Sequence, residues 1–151
     1  MYDRKAKSLA GKGFTLIEIL VVVAIIGIMV AAIGPNIVGY VEKSRVGRVK
    51  QDIVVLSGAL QLYNLDNHVY PTTEQGLKAL VEQPTSDPVP TAWQPGGYLG
   101  KTTIPKDPWD TPYVYRSPGD NGEDFVIISL GKDKREGGEG YNADIVSTNL
   151  E

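Results

Sequence analysis

The chain has 151 residues, enough for one domain with an appendage. It contains no cysteine and a single histidine, His68, which excludes disulfide frameworks, thiolate metal sites and cysteine nucleophiles and leaves no material for a His-rich zinc site or a Ser-His-Asp triad. Net charge is −3, but the first 13 residues carry Arg4, Lys5, Lys7 and Lys12 against Asp3, a local +3 that leaves −6 for the rest; that is the wrong sign for binding nucleic acid through bulk charge.

Residues 14–33 hold one charge, Glu18, in an otherwise apolar run. As a helix the run is about 30 Å long, the thickness of a bilayer's hydrocarbon core, so 14–34 is predicted to cross a membrane. A signal peptide fits less well, because the run is too long for an h-region and Pro35 follows the small-residue site directly. Glu18 is costly in hydrocarbon, so it marks function by default. Near one end of the run, it either snorkels to the interface or meets a cation. Lys43, Arg45, Arg48 and Lys50 beyond the run balance the four leader cations, and the positive-inside rule leaves the orientation tied.

Gly34-Pro35 punctuates the run, where proline would kink a helix. The helical pattern then resumes: Val46, Val49, Ile53, Leu56, Leu60 and Tyr63 form an apolar stripe down one face. The far side carries Arg48, Gln51 and Gly58, with Val55 and Leu62 intruding. A coiled coil is the weaker account of so short a stripe; docking on a globular head is the stronger one. The cations at 43–50 suit lipid headgroups, acidic residues of neighbouring copies, or a solvated face.

The helix is predicted to end near residue 64, with 64–71 as a break and His68 as a turn residue. Thr72 and Gln75 make a capping-box pattern before a short helix over 76–82. Residues 84–112 hold seven of the ten prolines and read as a long loop, pinned by Trp93 and Trp109. Residues 113–115 and 125–130 read as strands joined across an Asn-Gly turn, with Asp120, Glu123 and Asp124 solvated at its tip. The class is α+β: a long N-terminal helix packed on a small antiparallel sheet.

The last stretch with possible chemistry is 129–145. Asp133, Glu136, Glu139, Asn142 and Asp144 stand there among glycines, and oxygen ligands with freed carbonyls are what calcium takes. The spacing is not that of an EF-hand, since Arg135 and Gly137 stand where ligands belong, and no phosphate-loop triplet opens a helix here. A calcium loop and a plain polar surface loop both fit this composition.

Lys12-Gly13-Phe14-Thr15-Leu16-Ile17-Glu18, after a basic leader, resembles the start of type IV pilin-like precursors. The resemblance implies cleavage between Gly13 and Phe14 by a prepilin peptidase on the cytoplasmic side, N-methylation of Phe14, and Glu18 at the fifth mature position. Glu18 would there pair with the new Phe14 amine of a neighbouring subunit. The resemblance narrows over Tyr63-Asn64-Leu65-Asp66-Asn67, the Tyr70 to Leu77 segment, Gly96-Gly97-Tyr98, Asp107-Pro108-Trp109-Asp110, Ser129-Leu130-Gly131 and Ala143-Asp144-Ile145. Together these are similar to the major pseudopilins of bacterial type II secretion, across nearly the whole chain.

That family implies a leader at 1–13, a membrane and assembly helix at 14–34, and a periplasmic pilin-like head at 35–151. It implies a single-pass protein of the inner membrane that polymerises into a homo-oligomeric helical pseudopilus and drives export of folded proteins across the outer membrane. The implied partners are minor pseudopilins, the peptidase and methyltransferase, the inner-membrane secretion platform and the lipid bilayer. It further implies one calcium ion on the Leu130 carbonyl, Asp133 and Asp144. Ala143 stands where some members carry another aspartate, so Asn142 or Glu139 would complete the set. The alternatives are a type IV pilin or DNA-uptake pseudopilin, against which the absence of cysteine counts, and, remotely, a membrane-anchored periplasmic enzyme, for which no catalytic cluster is visible.

Overall fold

The computed structural model describes residues 13–150, except for the side chains of 32–38. The elements run α1 (Leu16–Asn67), a 3-10 turn (Leu77–Leu80), β1 (Val114–Arg116), β2 (Val126–Ser129), a second 3-10 turn (Gly140–Asn142) and β3 (Ile145–Val146). The chain divides into two units, Met1–Gly39 and Tyr40–Glu151.

In the first unit the described part is the start of α1. Its side chains from Leu16 to Val30 are exposed among the described residues. Among the described residues, no helix is long and apolar enough to cross a membrane. The span expected at 14–34 runs into 32–38, whose side chains lie outside the described residues, as does the expected leader up to Lys12. Residues 16–31 alone would cover about 24 Å as a helix, short of a hydrocarbon core.

In the second unit the expected stripe is the core. Val49, Ile53, Leu56, Leu60 and Tyr63 are fully buried, with Val46 packed against them. Val55 and Leu62 face outward, as their phase on the helix requires. The helix runs three residues past the expected end. It stops where Asn67 Nδ2 turns back to the Tyr63 carbonyl at 3.0 Å and His68 enters the left-handed region at φ 60°, a cap that spares the last carbonyls. His68 is thus the turn residue expected.

Three antiparallel strands in the order β1-β2-β3 lie against this stripe. Tyr115 pairs with Ile127, and both point inward: Tyr115 is buried and Ile127 fully so. Ser129 pairs with Ile145 and Ile128 with Val146, a third strand beyond the two expected. The helix expected over 76–82 is instead a single 3-10 turn. The capping box forms as expected, with Gln75 Oε1 accepting from Thr72 N at 3.1 Å and Thr72 Oγ1 from Gln75 N at 3.2 Å. The turn cannot propagate because the long loop takes its carbonyls: Trp93 Nε1 donates to Ala79 O at 2.8 Å and Tyr98 N to Leu80 O at 2.7 Å.

This packing sets an expectation for stability. Leu60→Ala should cost about 3 kcal/mol, since it opens a cavity where neighbours cannot close in. Val55→Ala, on the outward face, should stay within about 0.5 kcal/mol. Urea unfolding followed by circular dichroism separates the two, and equal losses would mean that the stripe is not the core.

Candidate functional site

At the start of α1, Gly13 and Phe14 lie in irregular, exposed backbone, and Phe14 is 83% exposed. A β-carbon on Gly13 would meet nothing within 4 Å among the described residues. Thr15 and Glu18 then form a capping box. Glu18 Oε2 accepts from Thr15 N at 2.8 Å and from Thr15 Oγ1 at 2.9 Å, while Thr15 Oγ1 accepts from Glu18 N at 3.3 Å. This starts the helix by satisfying orphan amide donors. The Thr-x-x-Glu spacing of residues 15–18 is the sequence signal for this box, a role for Glu18 beyond its charge.

The C-terminal loop leaves β2 at Leu130 and returns at Asp144. Lys132 N donates to Tyr141 O at 3.0 Å, closing the loop at its neck. Asp144 Oδ2 accepts from Gly137 N at 2.9 Å, while its Oδ1 is buried without a hydrogen-bond partner. Two glycines with positive φ press on the return limb. A β-carbon on Gly131 would stand 2.8 Å from Ala143 O, and one on Gly138 would stand 2.5 Å from Asn142 O, so neither position accepts a side chain unless the backbone moves. Asp133 is exposed, and its Oδ1 accepts from Arg135 N at 3.2 Å. Glu136 is committed elsewhere, to Arg116 Nη2 at 3.1 Å. Glu139 and Asn142 are exposed at the second 3-10 turn.

Among the described residues, no group of three or more His, Cys, Asp or Glu side chains is placed to hold a metal. An ion here would draw on main-chain carbonyls as well as on Asp133 and Asp144. The orphaned Asp144 oxygen and the carbonyls crowded under Gly131 and Gly138 suit such a mixed oxygen set.

Beside this loop stands a charged node not expected from the sequence. Glu42, on α1, is only 5% exposed. Its Oε1 meets Lys132 Nζ at 3.1 Å and Arg45 Nη1 at 3.2 Å, and its Oε2 accepts from Trp109 Nε1 at 3.2 Å. The hydrogen bond from Lys132, set against the cost of burial and helped by Trp109 and by the charges of Lys132 and Arg45, holds the Glu42 carboxyl below its usual 4.5. A depressed carboxyl stabilises the fold fully above the unfolded value and loses that contribution as acid protonates it. A signal was available: Glu42 lies four residues before Val46, in phase with the buried stripe.

A second buried acid, Asp107, shapes the loop that carries Trp109. Its Oδ1 accepts from Trp109 N at 3.0 Å and Thr111 N at 2.8 Å, and its Oδ2 accepts from Ser129 Oγ at 2.8 Å. Trp109 therefore pins the loop to the core, as expected, and Trp93 does so from the other end. Of the cations expected to meet lipid or neighbours, Arg45 is paired with Glu42, Arg48 lies 3.7 Å from Asp52, and Lys50 Nζ donates to Leu150 O at 3.0 Å. At the hairpin tip Asp120 is paired with Arg116 at 2.7 Å.

The family described as Type II secretion system (T2SS), protein G matches residues 36–148, and the Prokaryotic N-terminal methylation motif matches residues 10–34. The Type II secretion system core protein G of Vibrio cholerae is 49% identical over 139 residues, 92% of this chain and 92% of that protein. Its counterpart in Pseudomonas aeruginosa is 48% identical over 133 residues, 88% of this chain and 92% of the other. The crystal structure of the major pseudopilin from the type 2 secretion system of enterohaemorrhagic Escherichia coli is 40% identical. It matches with a TM-score of 0.64, covering 76% of this chain and 96% of that one. With a family match across most of its length and relatives close to half identical, the chain belongs to the type II secretion system protein G family, the major pseudopilins.

Proposed function

We propose that the chain is stored in the inner membrane by the apolar start of α1 and, once processed, polymerises through that helix into a periplasmic pseudopilus whose growth moves folded proteins across the outer membrane. That it is a structural subunit of the pseudopilus follows from the family, which is not a family of enzymes. The observation that carries the finer reading is the contrast along one helix. Its start leaves every described apolar side chain uncovered, while its later turns form the core of a complete head. Lipid covers such a surface before assembly, and other copies of the same helix cover it afterwards. The wider set of partners (minor pseudopilins, peptidase, methyltransferase and inner-membrane platform) comes with this reading. A type IV pilin or DNA-uptake pseudopilin is the less favoured alternative, since the match over 36–148 is to the secretion family.

Processing should cut the exposed bond between Gly13 and Phe14 and methylate the new amine. Intact mass of the native filament protein reads both changes together, and a filament subunit that retains Met1 would sink this account.

Glu18 then has two roles to separate. In its own chain it closes the capping box, and in the filament its charge would meet the Phe14 amine of a neighbour. Glu18→Gln keeps a capping-box residue but removes the charge, whereas Thr15→Ala keeps the charge and loses about 1 kcal/mol of capping. Filament yield should collapse in Glu18→Gln and persist in Thr15→Ala, with membrane insertion intact in both. The opposite ranking would assign Glu18 to helix initiation alone.

The same reading gives the C-terminal loop one calcium ion, held by Asp133, Asp144 and the Leu130 carbonyl, with Asn142 or Glu139 completing the shell. The ion supplies a hard positive centre that ties the two limbs of the loop together. The chain's residues fix the geometry: Gly137 orients the Asp144 carboxylate, and Gly131 and Gly138 let the Asn142 and Ala143 carbonyls come close. An ion that binds only the folded chain adds about 2.7 kcal/mol at one hundred times Kd, which raises Tm by about 10 °C in a domain of this size. The full chain in detergent should therefore melt higher in calcium than in chelator, with magnesium a poor substitute. Asp133→Ala and Asp144→Ala should melt like the chelated protein in either buffer. Equal melting of the wild type with and without calcium returns the segment to a plain surface loop.

A further inference from the structure

Lys132 is an awkward neighbour for a calcium ligand. It directly precedes Asp133, and a free ammonium so close to a divalent cation would repel it. The fold shows where that charge goes. Lys132 Nζ reaches out of the loop to Glu42 Oε1 at 3.1 Å, and the carboxylate it meets is almost wholly buried. Glu42 is itself fixed from two further sides, by Arg45 Nη1 and Trp109 Nε1, each at 3.2 Å. The main chain of Lys132 is held as well, since its N–H donates to Tyr141 O at 3.0 Å on the limb that leads to Asn142 and Asp144. A single residue is thus anchored at both ends, by its backbone to the neck of the loop and by its side chain to α1.

We propose that Glu42 is a positioning residue for the calcium loop: it draws the Lys132 ammonium onto α1, away from the ion, and so fixes the outgoing limb that presents Leu130 and Asp133. The inference rests on the calcium reading above and deepens it. A carboxylate on a helix, outside the loop and touching none of its ligands, sets the loop's affinity. By linkage, an ion that orders the outgoing limb strengthens the Glu42–Lys132 pair in return.

The pair also explains why the buried acid is needed. A carboxylate at this depth is tolerated only when cations and hydrogen-bond donors surround it. Lys132 supplies the contact from the loop, so loop and helix each stabilise what the other holds.

The test is calcium binding to the full chain in detergent micelles, by isothermal titration calorimetry, beside melting in chelator. Glu42→Gln keeps an acceptor for Trp109 Nε1 while releasing Lys132. It should weaken calcium about fivefold or more, and Lys132→Met added to it should bring affinity back to within about twofold of wild type. Arg45→Met removes a cation from the same carboxylate without touching the loop and should leave affinity within about twofold. A purely structural role for Glu42 would lower melting in chelator yet show no rescue by Lys132→Met. Should Glu42→Gln fail to fold, Glu42→Asp serves instead, weakening calcium when Lys132 is present and not in the Lys132→Met background. Wild-type affinity in folded Glu42→Gln, or a double variant no better than the single, overturns the proposal and leaves the calcium reading standing. A wild-type chain that binds no calcium overturns the calcium reading itself and this inference with it.

Discussion

The burial of one face of α1 is the constraint on which the head depends. Its three strands hold four residues at most, and a sheet that small has no stability of its own without a helix to cover it. The stripe from Val49 to Tyr63 supplies that cover. Tyr113 Oη donates to Asp52 Oδ2 at 3.0 Å and Tyr115 Oη to Pro71 O at 2.8 Å. The phenols span the core with their rings and are satisfied at its edges, which is why burial pushes the Tyr113 hydroxyl far above its ordinary value.

The long loop is held by chemistry rather than by regular structure. Proline denies it amide donors, so side chains do what a ladder would do elsewhere. Asp107 folds a tight turn on its own carboxylate, Gln75 Nε2 donates to Ser86 O and Pro88 O, and Asn67 joins the end of α1 to Ala92 N and Tyr98 Oη. Each anchor is a polar side chain mostly enclosed by the core: Gln75 and Asn67 link a turn and a helix end to the loop, and Asp107 ties it to β2 through Ser129.

Much of this was legible in the sequence, for reasons that can be named. The stripe showed because a 3.6-residue period with six apolar positions is hard to produce by accident. The hairpin showed because its turn and its β-branched residues agree. The rest was hidden where tertiary contacts decide. The 76–82 segment has a helix's start signal, yet Trp93 and Tyr98 take its carbonyls. β3 is two residues long and exists only through pairing with β2. Of the loop residues, the structure brings the Asn142 and Ala143 carbonyls under Gly131 and Gly138 and the Asp144 carboxylate to Gly137 N, but gives Glu136 to Arg116, a choice that composition alone could not make.

Two of the four acids of α1, Glu18 and Glu42, show how position changes what a carboxylate does. Glu18 lies in the exposed first turn, where a local capping box satisfies it. Glu42 occupies a stripe position where an apolar residue would have continued the pattern and packed at no cost in desolvation. Replacing buried ion pairs by hydrophobic groups is often neutral or stabilising, so stability alone does not account for an acid there. What a leucine could not do is select partners. The carboxylate accepts Trp109 from the proline-rich loop and Lys132 from the C-terminal loop at fixed distances, which sets where both segments land on the helix. Apolar packing builds the head, and this buried charge fixes the register of the loops that close it.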